Sequence, residues 1–358
     1  MQRNNSDIKV LVIGAGGFIG GFITAESLRR GFDTTAGVRS TTNRKFLEEP
    51  GLKFLNLDYG DVEAMTSAFA GALPEGEAWD WIVYNLGATK CANFADFNRI
   101  NYLYLQNVVA ALRASGKMPK RFLYMSSLSA IGPGDEKGYT PLSLRDIPNP
   151  NTRYGVSKIK AETFLETCSD LNWTIFRPTG VYGPHEKDYM MMVKSIDSGW
   201  DFGVGMRRQM LTFIYVKDLA KAIFDALESS ATLRKKYLIS APRAYSQSEF
   251  RKIVADALGR KFVIPVRLPL WMAYAASVVC EKYGVAKMQP STLNRDKFKI
   301  MKQRNWTCDI SAAQADFGFT ADYDLRRGIA ETVASYLEEK KARKDAKKHG
   351  GAEKEVHS

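Results

Sequence analysis

A chain of 358 residues with 45% hydrophobic and 25% charged side chains has a globular composition and can bury one large core or two unequal ones. Its formal charge of +12 and pI near 9.4 suit an anionic ligand, but the bases are scattered along the chain, which argues against a dedicated nucleic-acid face. Cys91, Cys168, Cys280 and Cys308 lie far apart without a CxxC pair, and His185 is the one histidine of three inside the folded part, so neither a disulfide framework nor a metal site is indicated.

Residues 8–13 are a short apolar run rich in β-branched side chains, followed by GAGGFIG and a helical pattern through Arg30. The order reads as strand, tight turn, helix. Such a turn points backbone N–H groups at a pyrophosphate, with glycines where a Cβ would block the approach. The GxGxxG fingerprint begun at Gly14 would need glycine where Ile19 stands. Gly14, Gly17 and Gly20 instead fit GxxGxxG, with Phe18 and Ile19 completing the phosphate-facing set. The second strand, 33–38, should end beside the adenosine ribose, where NAD-selective sites place a carboxylate. Here stand Val38, Arg39 and Ser40: Arg39 can pair with a 2′-phosphate, so NADP is expected ahead of NAD. The competing reading is an ordinary surface arginine.

A third strand, 52–57, ends at Asp58, placed either to accept from the adenine amino group or as a plain turn aspartate; Asp61 should cap the next helix. Strand 81–84 runs into NLGATK, where the backbone at Leu86 and Gly87 can pass close to a cofactor. Asn101 lies near the start of a long helix reaching Ser115, and strand 121–125 delivers Ser126 and Ser127 to the same edge. This alternation predicts a parallel sheet covered on both faces, with ligands at the strands' carboxyl ends. In TRYGVSKIKAE, residues 152–162, Tyr154 and Lys158 are four apart and share one helix face. A phenol that titrates near 10 shuttles protons poorly at neutral pH unless a cation stabilises its anion, and Lys158 can supply that charge. A lone YxxxK is more commonly just a helix start. Strand 173–177 then leads into Pro178, with Arg177 either a ligand or an ion-pair partner.

From residue 181 the alternation breaks down. Residues 182–210 and 246–319 should close over the cofactor and hold a substrate, with His185, Tyr189, Met190, Met191 and Met192 as pocket candidates or plain core and surface. FIYVKDLAKAI returns to the sheet with Asp218 as a helix cap, and 237–240 forms a last strand. LPLWMAYAASVVC, residues 268–280, is too short to span a bilayer and reads as a buried helix of the smaller lobe rather than a lipid contact. Residues 338–358, mostly Lys, Glu, Ala and Gly, should fray into a disordered, charged tail. Its basic run, 340–348, suits weak peripheral membrane contact but needs a second anchor that the sequence does not show. No apolar leader opens the chain, so a cytoplasmic location is expected.

GAGGFIG, LDYGD, NLGAT, MSSLSAIGP, YGVSK, RPTGVYGP and FIYVKDLA, in this order, make roughly residues 8–337 resemble an extended short-chain dehydrogenase/reductase of the NAD(P)-dependent epimerase/dehydratase family. The resemblance implies an α/β, Rossmann-like doubly wound sheet with a smaller, discontinuous C-terminal lobe. Residues 1–180 and 211–245 would form the cofactor-binding core, and 181–210 and 246–337 the substrate lobe and C-terminal helix. It further implies Tyr154 as acid/base, Lys158 on the nicotinamide ribose lowering the tyrosine pKa, Ser127 on the reacting oxygen ahead of Ser126 and Ser129, Pro178 beneath the nicotinamide, and a homodimer. These residue types agree with hydride transfer to a carbonyl, which needs a proton donor and a hydroxyl to hold the oxygen. SSLSAIGPG lacks the tyrosine that many epimerases carry before the glycine, and Leu211-Thr212-Phe213 lacks the arginine of sugar-nucleotide enzymes, although Arg207 and Arg208 lie just upstream. The expected reaction is therefore hydride transfer between NADP(H) and a secondary alcohol or ketone, with resemblance to the 3β-hydroxysteroid dehydrogenase and dihydroflavonol reductase branch. A nucleotide-sugar epimerase, dehydratase or reductase is the second reading, and a non-catalytic cofactor-binding regulatory protein the third.

Overall fold

Seven parallel strands form the central sheet of the computed structural model, which describes residues 4–91, 93–287, 289, 291 and 293–355. Its first half runs β1 (Lys9–Ile13), α1 (Phe18–Arg29), β2 (Asp33–Val38), β3 (Lys53–Asn56), α2 (Val62–Ala72), β4 (Trp81–Tyr84), a short α3 (Phe94–Asn98), α4 (Tyr104–Ala114), β5 (Arg121–Met125), α5 (Arg153–Thr167) and β6 (Trp173–Pro178). The second half comprises β7 (Gly180–Tyr182), α6 (Lys187–Asp197), β8 (Trp200–Val204), β9 (Met210–Leu211), β10 (Phe213–Tyr215), α7 (Val216–Glu228), β11 (Lys235–Ile239), β12 (Tyr245–Ser246) and α8 (Gln247–Ala257). It ends with β13 (Ile264–Leu268), α9 (Leu270–Ala286), α10 (Arg295–Lys302), β14 (Asn305–Trp306), α11 (Ser311–Phe317) and α12 (Leu325–Glu355).

The strand order is β3-β2-β1-β4-β5-β6-β11, so the chain leaves β1 in one direction and resumes at β4 in the other. That reversal opens a crevice at the carboxyl ends of β1 and β4, where doubly wound sheets bind ligands. The apolar pattern explains the layering. Alternate residues of a strand face opposite sides. Val10 and Val12 join Ile23 of α1 and Leu219 of α7 in one core, while Leu11 and Ile13 join Phe69 of α2 and Val108 of α4 in the other. A strand buried on both faces has to be apolar, as β4 is throughout and β1 is beyond Lys9.

β2, β4 and β5 have the bounds expected from the sequence, and Asp61 caps α2 by accepting from the Ala64 N–H at 2.9 Å. Asp218 does not cap α7. It is the third residue of the helix, buried, and accepts from the backbone N–H groups of Asp322 (3.1 Å) and Tyr323 (3.0 Å), fastening the segment before α12. α12 continues to Glu355, past the point where a frayed tail was expected; glutamate, lysine and alanine are strong helix formers.

Outside the main sheet, β7 pairs with β10, β9 lies between β12 and β14, and β8 pairs with β13. Tyr182, Phe213, Phe250 and Ile329 centre a third core that ties α6, α8 and α12 together. Tyr189, Met190 and Met192 pack against this core, whereas Met191 is exposed, so these pocket candidates are mostly structural. The apolar segment 268–280 was expected to be buried; it forms the end of β13 and most of α9, and Trp271, Met272, Tyr274 and Val279 stand in solvent.

Candidate active site

The glycine-rich turn joins β1 to α1 in the conformation that its residues allow. Gly14 has φ +82°, and a Cβ there would lie 2.7 Å from the Leu86 nitrogen; one on Gly20 would lie 2.3 Å from the Gly14 carbonyl oxygen. Gly17 is different. The nearest atom to its missing Cβ is 3.5 Å away, so its bareness answers to nothing packed on it from within the chain. Gly17 is also the N-cap of α1 and supplies no side-chain cap, and the first turn, containing Phe18 and Ile19, carries no acidic residue. Backbone N–H groups left free there suit a phosphate. Gly16, unassigned in the sequence reading, is covered by Thr42, whose Cγ2 would be 2.2 Å from a Cβ.

Arg39 leaves the end of β2 exposed, its backbone N–H donating to Thr42 Oγ1 at 3.0 Å, while Val38 before it is buried. Arg44 is drawn aside over the Phe54 ring (4.3 Å), and Lys45 lies over Phe46 (5.5 Å). Asp58, two residues beyond β3, accepts from the Gly60 N–H at 3.0 Å, which is the turn arrangement, and remains exposed.

Across the crevice, α5 begins at Thr152, whose hydroxyl accepts from the Gly155 N–H at 3.0 Å. Tyr154 and Lys158 project from its first two turns. The ammonium of Lys158 is buried against the Met125 carbonyl oxygen (2.8 Å), 4.9 Å from the Tyr124 ring centroid and 5.9 Å from that of Tyr154. It lies 3.1 Å from where a Gly87 side chain would begin, and Asn101 Oδ1 lies 3.2 Å from the same point, so the β4 loop passes both groups closely. Burial pulls the Lys158 pKa down to about 7, against a smaller opposing pull from Glu162. Burial pushes Tyr154 up to about 12, and the Ser127 hydroxyl acts in the other direction. Burial thus disfavours the charged form of both side chains in the chain alone.

Three serines were candidates beside Tyr154. Ser126 is consumed: its buried hydroxyl donates to Glu162, which also takes Arg177 through Nε (3.0 Å) and Nη2 (2.6 Å). Arg177 is thus an internal ion-pair partner, 2% exposed. Ser127 is half-buried at the mouth of the crevice, accepting only from the Ser129 N–H (3.2 Å) and aimed at Tyr154. Pro178 ends β6 in register with Ile239 of β11, beside Gly180, where the Tyr189 hydroxyl occupies the space of a side chain.

The sequence reading gave Asn101 no role, yet it organises this site. It lies in a single π-helical turn (Arg99–Leu103) and is fully buried. Its Oδ1 accepts from the Ala88 N–H (2.7 Å), and its Nδ2 donates to the Ala88 carbonyl (3.0 Å) and to Ser157 Oγ (2.8 Å). One amide therefore clamps the β4 loop to α5. A buried asparagine in an apolar helical stretch was the available signal, and π-turns gather at functional sites. His185, at φ +72°, stacks on Phe46 at 4.2 Å and so joins the lobe to the segment after β2.

A reversal crevice, an uncapped helix N-terminus over bare glycines and a hydroxyl–phenol–amine cluster opposite it define a dinucleotide-binding α/β enzyme. The residues present fit such a cofactor: Gly14, Gly17 and the first turn of α1 would hold its phosphates, and Lys158 its nicotinamide half. The chain belongs to the NAD dependent epimerase/dehydratase family, whose model matches residues 10–240. It is an NAD(P)-dependent oxidoreductase of the extended short-chain dehydrogenase/reductase type. Among similar proteins, 2-alkyl-3-oxoalkanoate reductase of Stenotrophomonas maltophilia is 25% identical, over 92% of this chain and 99% of that one. Sterol-4-alpha-carboxylate 3-dehydrogenase, decarboxylating, of Dictyostelium discoideum is 20% identical over 90% and 99%. The crystal structure of UDP-glucose 4-epimerase of Thermus thermophilus in complex with NAD superposes with a TM-score of 0.72 at 20% identity, covering 92% of this chain and 99% of that one.

Proposed function

We propose that the protein interconverts a secondary alcohol and a ketone on a bulky, largely apolar substrate of 3β-hydroxysteroid type, using NADP(H) ahead of NAD(H). The nicotinamide cofactor supplies or accepts the hydride. Tyr154 gives the alkoxide oxygen its proton or takes it back, and Ser127 donates a hydrogen bond that holds that oxygen in line. Lys158 binds the ribose, and its charge, favoured again beside an anionic cofactor, assists the phenolate. The observation that carries this reading is the meeting of a half-buried Ser127 hydroxyl with Tyr154, one turn from a buried amine without a carboxylate ion-pair partner among the described residues.

Preference for NADP rests on Arg39 standing exposed where NAD-selective sites carry a carboxylate. Phe18 and Ile19 line the phosphate site, Leu86 and Gly87 the nicotinamide side with Pro178, and Asp58 the adenine edge. Residues 181–210 and 246–337 hold the substrate, and the enzyme is cytoplasmic and pairs as a homodimer through two helices of each subunit, α5 among them. The apolar substrate is supported by relatives named for an oxoalkanoate and a sterol carboxylate. The test is NADPH oxidation measured side by side with 3-ketosteroids, 3-oxoalkanoates and nucleotide sugars. Turnover confined to nucleotide sugars would transfer the protein to the epimerase reading.

A further inference from the structure

α9 is built inside out for a helix on a water-facing surface. Its buried positions are Ala273, Ser277 and Gly284, a single narrow stripe of small residues. Its large side chains point away: Trp271 is 72% exposed, and Val279 and Tyr283 are each 67% exposed. A helix apolar on all sides normally lies inside a protein, and an isolated apolar patch of this size marks a contact surface.

The patch extends beyond the helix. β8 and β13 are paired, and Val204 on β8 packs beneath Ala273 of α9. Two and four residues earlier on the same strand face, Phe202 and Trp200 stack on each other at 6.3 Å and stay exposed. Trp200 and Phe202 therefore continue, in solvent, the strand face on which α9 packs.

Charge selects the occupant. Residues 256–304 contain ten lysines and arginines against three acids. Each acid is already paired: Asp256 with Arg326 (3.3 Å), Glu281 with Arg153 and Arg295 (3.0 Å each), and Asp296 with Arg153 (4.0 Å). Lys261, Lys282 and Lys287 stand exposed beside the apolar side chains. Asp197, three residues before Trp200, binds Lys340, so the basic run of α12 starts at the edge of the same face. No helix among the described residues is long and apolar enough to cross a membrane.

We propose that α9 and the Trp200–Phe202 face dock the protein on an anionic lipid bilayer, the helix lying in the interface with its lysines among the headgroups. Aromatic side chains inserted at headgroup depth, next to a lysine rim, are what an interfacial helix needs. The face also supplies the second anchor that a basic run requires for stable attachment.

The experiment is flotation of the full chain with vesicles of phosphatidylcholine and phosphatidylserine, or of phosphatidylcholine alone, with tryptophan quenching by brominated acyl chains. The wild type should float with the anionic vesicles and be quenched, and high salt should weaken this, since the screening length falls from about 10 Å to about 3 Å between 0.1 and 1 M. Trp271→Glu/Val279→Glu should lower the partition coefficient about tenfold or more while NADPH titration and thermal unfolding stay unchanged. Should that variant misfold, Lys282→Glu/Lys287→Glu, which leaves the apolar face intact, should abolish the preference for phosphatidylserine. Failure of the wild type to bind anionic vesicles, or equal binding by both variants, overturns the proposal. So does a dimer that the double glutamate variant dissolves without any vesicle binding, because the face would then belong to a second copy of the chain.

Discussion

Replacing Asn101 by alanine tests whether one buried amide holds the site together. The side chain makes three hydrogen bonds, two to the backbone of Ala88 and one to Ser157 Oγ, at 2.7–3.0 Å and with no exposure. Each is worth about 1 kcal/mol net, and an Ala88 N–H left unpaired in the interior adds about 1–3 kcal/mol. The expected loss is therefore roughly 4–6 kcal/mol, and at about 2 °C per kcal/mol for a chain of this size the melting temperature should fall by roughly 8–12 °C. Function should fall further than stability alone explains. Gly87, next to the clamped residue, faces the Lys158 ammonium, so a slack loop should weaken cofactor binding about tenfold, equal to about 1.4 kcal/mol. Differential scanning fluorimetry and cofactor titration by fluorescence measure the two effects. A variant that melts within a degree of wild type and binds NADPH equally well would show that the loop keeps its course without Asn101, and the argument would fail.

Tyr154→Phe keeps the ring and removes the proton, so turnover should drop by about 10² to 10⁴ with cofactor affinity retained; near-native rates would exclude Tyr154 from proton transfer. Lys158→Met should raise thermal stability while weakening cofactor binding. With the folded pKa at about 7 against 10.5 unfolded, the buried amine costs most below pH 7, and the cost fades as pH rises towards 10.5; a variant less stable than wild type at pH 6 contradicts this. Wild-type affinity for the anionic cofactor should likewise decline as pH rises through 7, and that of Lys158→Met should decline less. Arg39→Ala should cost NADPH about ten- to a hundredfold in affinity, from a charged hydrogen bond of about 1.5–3 kcal/mol, and NADH little; equal losses for both cofactors would assign their discrimination elsewhere.

A strand with two buried faces declares itself locally, because every residue has to be apolar, as in β4; β2 and β5, which open on Asp33 and Arg121, are bounded instead by the order of strand and helix around them. The i, i+4 spacing of Tyr154 and Lys158 likewise fixed their shared face. Long-range partners leave no such mark. Nothing near Asp218 reveals that its acceptors' donors lie a hundred residues on, at Asp322 and Tyr323, so a cap was the simplest reading. Asn101 carries the same difficulty, since a loop partner 13 residues away is invisible to helical periodicity. α9 misled for a different reason. Hydrophobicity reports what a segment prefers to leave, which is water, and not whether protein or something else receives it. The sum of burial and charge at Lys158 also lies beyond sequence, because it depends on Tyr124 and Met125 closing around the amine.

Ser126 and Ser127 are chemically identical neighbours, yet they differ in what they are free to do. Glu162, wholly buried, accepts from the first and leaves the second at the crevice mouth. Successive residues leave the strand end on opposite sides, so the hydroxyl turned inward is tied to a carboxylate and the one turned outward stays within reach of the crevice. Arg177 in turn holds Glu162 in place through Nε and Nη2, and Lys236 approaches it at 3.8 Å. The end of β5 is thus anchored to α5 and β6 by an internal ion pair behind the crevice, and a survey confined to the pocket walls would overlook what holds the Ser127 position in place.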